Sequence, residues 1–256
     1  MPASLPDRCH FSLGEFEPAL EAVAQTQAIG ESSADPRLRT FATSSTGWIY
    51  ATRGDWEAGI EACQRALQDS RDPSITALAL DFLGHAYLEQ GDAARAIPVL
   101  ERALEHFVRF RARHFQGRCM TSLSEAALLN GHLEQARALA AQGLDISRDV
   151  KYGYGIAYAQ RVLGRVFRAS GALAQATTSL SEALDTFTSI QARFEVGRTH
   201  LDLAAVAHAQ GKREAVTRHL EEAHDLFSAL QVPKYVERAA QLAHEFGVPP
   251  AEGGGC

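Results

Sequence analysis

Glycine returns along this chain at Gly14, Gly54, Gly91, Gly131, Gly171 and Gly211, in steps of 40, 37, 40, 40 and 40 residues, and its neighbours return with it. Seven residues before the glycine stands a small residue: Gly47, Gly84, Ser124, Gly164 or Ala204. Just before that comes leucine, at Leu83, Leu123, Leu163 and Leu203, with Thr46 the exception. Five residues after the glycine stand Ala19, Gly59, Ala96, Ala136, Ala176 and Val216, and twelve after it Thr26, Ala66, Ala103, Gly143, Ala183 and Ala223. Chance does not align six copies of such a pattern. A fixed period of this length marks a stack of supersecondary units, each of which buries its apolar face on its neighbours.

Each unit reads as two helices. Leu80, Leu83 and Tyr87, and then Ile97, Leu100 and Leu104, fall at helical spacing on either side of Gly91. The glycine ends the first helix, because it takes the left-handed backbone of a helix cap without a Cβ penalty. Asp55 and Asp92 follow their glycines directly and are suited to cap the free N–H groups of the next helix. Antiparallel helices approach to about 8–10 Å only where facing side chains are small. Gly84, Ala96 and Ala103 therefore mark the close contact inside a unit.

The run Leu83-Gly84-x-x-Tyr87 followed by Ala96 and Ala103 is similar to the tetratricopeptide signature, and the resemblance extends over residues 1–230. It implies an all-α, right-handed superhelical solenoid of antiparallel helix pairs whose first helices line a concave wall that binds protein segments. The period departs from the 34 residues of the standard motif, so helices or turns are longer. The 40-residue unit, with Ser45-Thr46-Gly47-Trp48-Ile49-Tyr50-Ala51 and the segment from His219 to Phe227, resembles the repeat regions at the C-terminal ends of large bacterial regulators. Those proteins carry a cyclase, kinase or DNA-binding module and a signalling ATPase. The expected organisation is a truncated first repeat over 1–30, five helix-pair repeats over 31–230, a capping helix over 231–247 and a tail over 248–256. Gly14 closes a helix that would start before Met1, which suggests a fragment of a longer polypeptide. Gly253-Gly254-Gly255-Cys256 has the look either of an attachment handle or of a natural frayed end.

A formal net charge of -6 argues against general nucleic-acid or anionic-membrane binding. Cys9, Cys63, Cys119 and Cys256 stand far apart without a CxxC pair, so they read as free thiols in a reducing compartment. With neither a signal peptide nor an apolar run long enough to span a bilayer, the expected location is the cytoplasm. Phosphate-loop, HExxH and nucleophile-elbow motifs are missing, so no catalytic residue, metal or cofactor is expected. His244-Glu245 reads as solvated surface. So does the basic run Arg109, Arg111, Arg113 and His114, at a turn between units.

The candidate binding groove comprises Trp48, Asp81, His85, Arg118, Glu125, Tyr158, Arg161, Arg165, Arg168 and Arg198, taken as exposed positions of the first helices. Arg161, Arg165 and Arg168 share one helix face, where like charges repel by a few tenths of a kcal/mol. Arginine forks suit carboxylates and phosphates, which points to an acidic or phosphorylated segment. The competing reading is a solvated face neutralised by Glu125 and Asp81. Trp48 is either an aromatic anchor for a peptide or core between units. The lysine/asparagine pattern of the chaperone-tail clamp is absent. The functional expectation is a protein-interaction scaffold, the docking or sensing arm of a bacterial regulator. The alternatives are a small-molecule effector sensor and a self-association module that uses the apolar face left by the truncated first repeat.

Overall fold

The computed structural model describes residues 14–249. Cys9, Cys256, the start of the truncated repeat and the glycine-rich tail lie outside them. Twelve α-helices follow one another among the described residues: α1 (Phe16–Ser32), α2 (Pro36–Arg53), α3 (Trp56–Asp69), α4 (Pro73–Glu89), α5 (Ala93–Arg109), α6 (Arg113–Leu129), α7 (Leu133–Asp149), α8 (Gly153–Ala169), α9 (Leu173–Ser189), α10 (Arg193–Ala209), α11 (Arg213–Ala229) and α12 (Pro233–Glu245). They stack as a helical-repeat solenoid in which α2/α3, α4/α5, α6/α7, α8/α9 and α10/α11 form antiparallel pairs. The first helices α2, α4, α6, α8 and α10 also touch each other in order along one wall.

The period has a simple origin. From α4 to α11 every helix has 17 residues and every turn three, so a helix pair with its two turns occupies 40. The longer period therefore comes from the helices. The single 37-residue step arises because α3 has only 14 residues.

Both kinds of turn have the same geometry, except the turn between α3 and α4, where Ser70 is extended. At the turn inside a unit, Gly131 has φ +75° and donates its N–H to Leu128 O at 3.0 Å, while His132 donates to Ala127 O at 2.9 Å. That pair of bonds is a Schellman cap. Between units Lys151 donates to Arg148 O and Tyr152 to Ser147 O in the same pattern. There the left-handed residue is not glycine: Ala34, Arg111, Lys151, Gln191 and Gln231 have φ between 53° and 57°. An L-residue in that region costs about 1–2 kcal/mol. Asp92 caps α5 by accepting the Arg95 N–H at 2.9 Å, whereas Asp55 makes no side-chain cap on α3. Asp35 and Asp72 cap the proline-led helices α2 and α4.

The column of small residues is the contact line inside each unit. A Cβ on Gly47 would lie 2.7 Å from Gly59 O, and one on Gly84 would lie 2.5 Å from Leu100 Cγ, a fully buried side chain. At the equivalent place Ser124 Oγ donates to Ala136 O at 2.6 Å.

The two ends of the array meet. Phe16 at the start of α1 packs edge-on to Phe194 of α10, with ring centroids 5.3 Å apart, and Tyr235 of α12 packs on the same Phe194. Lys234 Nζ donates to Gly54 O and lies over the Trp56 ring. Some of the apolar face of α1 that the sequence leaves open to a neighbouring chain is thus covered from within, while Ile29 remains 50% exposed.

Two glycine substitutions separate backbone strain from close packing. Gly171→Ala meets no atom within 4 Å and lowers stability by about 1 kcal/mol through its positive φ alone. Gly47→Ala must push a pair of helix backbones apart and lowers it by about 1–3 kcal/mol. Urea unfolding of both variants checks the order, and equal losses would contradict the packing role of the small column.

Candidate functional site

The polar side chains of the first helices converge at the centre of the array. Arg118 of α6 pairs with Asp81 of α4. Glu125 of α6 pairs with Arg165 of α8 and accepts the Tyr158 hydroxyl. Arg161 of α8 lies 3.4 Å from Glu195 and 3.7 Å from Asp202, both on α10. Arg198 of α10 then reaches Glu89 at the end of α4, at 2.8 Å, and Glu195 at 3.6 Å. Tyr235 of α12 donates to the other Glu89 oxygen at 2.8 Å. The sequence of pairs runs from α4 through α6, α8 and α10 back to α4. The circuit closes at the level of the helices: three guanidiniums and four carboxyl groups form a continuous chain from Glu125 to Glu89, and Arg118 with Asp81 is a separate pair beside it.

Burial makes these pairs obligatory. Arg161 is only 2% exposed, the largest side chain hidden to that degree. An isolated charge in such a place costs several kcal/mol, so each guanidinium is held by carboxylates. Burial alone would raise the Glu125 carboxyl, but Arg165, with Arg161 and Arg198 behind it, outweighs burial and brings it down to about 2. Burial also pushes the His85 imidazole below its usual range, although Glu89 opposes the shift. Several polar atoms in the ring lie buried without a hydrogen-bond partner: Arg118 Nε, Arg161 Nε and Nη2, Glu195 Oε2 and Asp202 Oδ2.

The exposed groove expected from the sequence is therefore corrected. The structure does bring Asp81, His85, Arg118, Glu125, Tyr158, Arg161, Arg165 and Arg198 together, but around a filled centre. Asp81, Arg118, Glu125, Tyr158 and Arg161 are buried, and His85, Arg165 and Arg198 are partly buried. Arg161 and Arg165 sit at the predicted spacing and face carboxylates of the chain itself. Arg168 departs from the group: it is exposed near the C-terminal end of α8 and makes no ion pair among the described residues. Trp48 is half-buried and stacks on Phe82, with ring centroids 4.9 Å apart and planes within 3°, and the Arg118 guanidinium lies 5.5 Å from its ring. Glu89, Tyr154, Glu195, Asp202 and Tyr235 complete the ring. Sequence reasoning passed over them, although Glu195 and Asp202 flank Arg198 at helical spacing.

Trp48, Asp81, His85, Arg118, Ser122, Tyr154, Tyr158, Glu195 and Arg198 enclose a space of about 20 Å³, room for one water. A cleft of about 410 Å³ opens elsewhere, between Glu15, Thr188, Gln191, Arg193, Val196 and Leu226. His244 and Glu245 are exposed on α12. In the basic run, Arg109 and Arg111 are exposed and Arg113 pairs with Asp149 at 2.9 Å. Among the described residues no helix is long and apolar enough to cross a membrane.

Models of the tetratricopeptide repeat match residues 75–149 and 197–222. With the helix-pair architecture, they mark this chain as an all-α helical-repeat solenoid similar to tetratricopeptide-repeat proteins. A comparison with curated proteins returned no match. Solved structures share its fold at low identity. A Rap protein complexed with competence and sporulation factor superposes with a TM-score of 0.74 at 14% identity, over 97% of this chain and 73% of that one. The Rap conjugation gene regulator of plasmid pLS20, in complex with the Phr* peptide, gives 0.67 at 17% identity, over 84% and 61%. BtubC from P. vanneervenii gives 0.57 at 14% identity, over 87% and 92%.

Removing one member of a buried pair leaves the other charge uncompensated, at a cost of about 3–5 kcal/mol. Arg161→Met therefore lowers the unfolding free energy by that amount, while Arg168→Ala stays within about 0.5 kcal/mol. Urea unfolding distinguishes them. The ring also sets the acid limit. Glu125 titrates near 4.5 when unfolded and about 2 when folded, so its contribution is complete above pH 4.5 and is lost as pH falls towards 2. The urea midpoint should fall across that window, and Glu125→Gln should flatten the fall.

Proposed function

We propose that the chain is a protein-interaction scaffold which takes a peptide segment of its partner against the inner wall of first helices. The carrying observation is the convergence of buried charged side chains on the inner wall, where Arg161 meets Glu195 and Asp202 at 3.4 and 3.7 Å without a well-formed hydrogen bond. Buried donors and acceptors are normally satisfied, and an extended peptide offers both kinds of group along its backbone. The Rap proteins of similar fold, solved with competence and sporulation factor and with the Phr* peptide, support the same reading.

A space of about 20 Å³ does not admit a peptide. Entry therefore requires the seam between α4 and the α10/α12 end to open, where Glu89 holds Arg198 and Tyr235. Opening bares both guanidiniums and carboxylates, so the fitting segment carries charge of both signs rather than being purely acidic. Trp48 and Phe82 supply its aromatic floor, and Arg168 lies at the rim. The bacterial regulatory setting belongs to this reading, with the chain as docking arm of a longer protein. A small-molecule effector is the second reading, favoured by the 410 Å³ cleft, which falls in the size range of small-ligand sites.

The apparent affinity of a site that must open is reduced by the fraction of open molecules. Tyr235→Phe removes one charge-assisted bond across the seam and leaves the ring packed on Phe194 and Phe227. Peptides selected by display against the parent chain should bind this variant about tenfold more tightly. Trp48→Ala should bind them more weakly, as fluorescence polarisation would report. Affinities unchanged in both variants would place the site elsewhere.

A further inference from the structure

One polar pair stands apart from the central ring. His200 of α10 and His219 of α11 face each other inside the last repeat, Nδ1 to Nδ1 at 3.0 Å, with ring centroids 5.2 Å apart and planes at 47°. Counted from the repeat glycine, the same two positions hold Thr43 and Ala62, Leu80 and Val99, Met120 and Leu139, and Gln160 and Ser179 in the earlier units. The earlier units carry apolar or uncharged residues at these positions, and the last unit alone has two imidazoles there. Both rings are partly buried. Burial brings His219 down to about 4, helped by His200 and Arg218 and opposed by Glu222, and it also lowers His200. In the hydrogen bond between the two rings one Nδ1 donates and the other accepts.

We infer that His200 and His219 form a bidentate transition-metal site in which a divalent cation replaces the shared hydrogen and ties α10 to α11. Two nitrogens 3.0 Å apart, each about 2.1 Å from a metal, subtend about 90° at it. That is the angle between adjacent ligands of a tetragonal or octahedral ion, so the bite suits Ni²⁺ or Cu²⁺ without movement of either helix. A tetrahedral Zn²⁺ needs the nitrogens about 3.4 Å apart, and hence a small spreading of the rings. Neutral imidazole is the ligating form. Among the described residues no group of three or more His, Cys, Asp or Glu side chains is arranged to hold a metal. The protein thus supplies two ligands, and solvent fills the remaining positions. Glu222 lies one turn along α11 from His219, on the same helix face, and its carboxylate favours a cation there, while the neighbouring Arg218 disfavours one. The site is independent of the peptide-binding reading, because neither histidine belongs to the central ring.

Ni²⁺ is the probe, since it is redox-inert towards thiols, and accessible cysteines are alkylated first. Calorimetric titration of the whole chain near neutral pH should show one equivalent of Ni²⁺ that is lost in both His200→Gln and His219→Gln and retained in His224→Gln. At a hundredfold excess over its dissociation constant, Ni²⁺ should raise the thermal midpoint of the parent by about 5–10 °C and leave the two variants unmoved. Circular dichroism confirms that the variants stay folded. Should either variant unfold, paramagnetic broadening and shift of the His200 and His219 ring-proton resonances by Ni²⁺, read by NMR on the parent chain, takes its place. An equivalent that survives in the His200→Gln/His219→Gln double variant, or no equivalent in the parent, overturns the site.

Discussion

The ion-pair circuit at the centre of the array is the interaction on which the rest of the structure depends. A stack of helix pairs ordinarily contacts only its neighbours, and its stability is close to a sum of local terms. Here Glu89 at the end of α4 holds Arg198 of α10 and Tyr235 of α12, so the second unit is tied to the last and to the cap. Arginine suits the task, because its planar fork engages two carboxylates at once and stays charged when buried. Arg161 between Glu195 and Asp202 does this at 2% exposure. The apolar contacts of Phe16 and Tyr235 with Phe194 close the same seam from outside.

That closure reshapes how the concave wall can work. An open groove offers its side chains to a partner directly, whereas this wall satisfies most of its own charges first. On the proposed reading, binding competes with intramolecular pairs, and affinity depends on the free energy of opening as well as on contacts. Arg161 meets Glu195 and Asp202 at 3.4 and 3.7 Å, so these contacts are ionic without a well-formed hydrogen bond. The aromatic pair Trp48 and Phe82 lies beside them, under the Arg118 guanidinium. Glu125, held as a carboxylate to about pH 2 by three arginines, keeps the circuit charged throughout the neutral range.

Much of the fold was legible because helix pairs are specified locally. Gly91, Gly131, Gly171 and Gly211 take positive φ where the sequence places the caps, and Gly84 meets Leu100 where it places the close contact. The turns between units escaped this reading, because Arg111, Lys151 and Gln191 adopt the same left-handed conformation without the glycine that advertises it. The candidate site was only partly legible. Arg161 and Arg165 share a face as their spacing requires, but whether that face meets solvent or carboxylates depends on where α6 and α10 lie. The acids Glu195 and Asp202 were available as a clue, three residues before and four after Arg198. His200 and His219 stood 19 residues apart in the sequence and became a pair only once α10 and α11 packed antiparallel.

The sequence by itself determined the unit: two helices joined by a glycine-capped Schellman turn, with a small-residue column setting how closely they approach. Each of these is a matter of neighbours within about forty residues, where cap chemistry and helical periodicity act. Only the tertiary structure decided that the wall closes, that Arg161 is buried rather than free, and that Phe16 meets Phe194. The small rotation between one unit and the next accumulates over the array, and no single repeat encodes the sum.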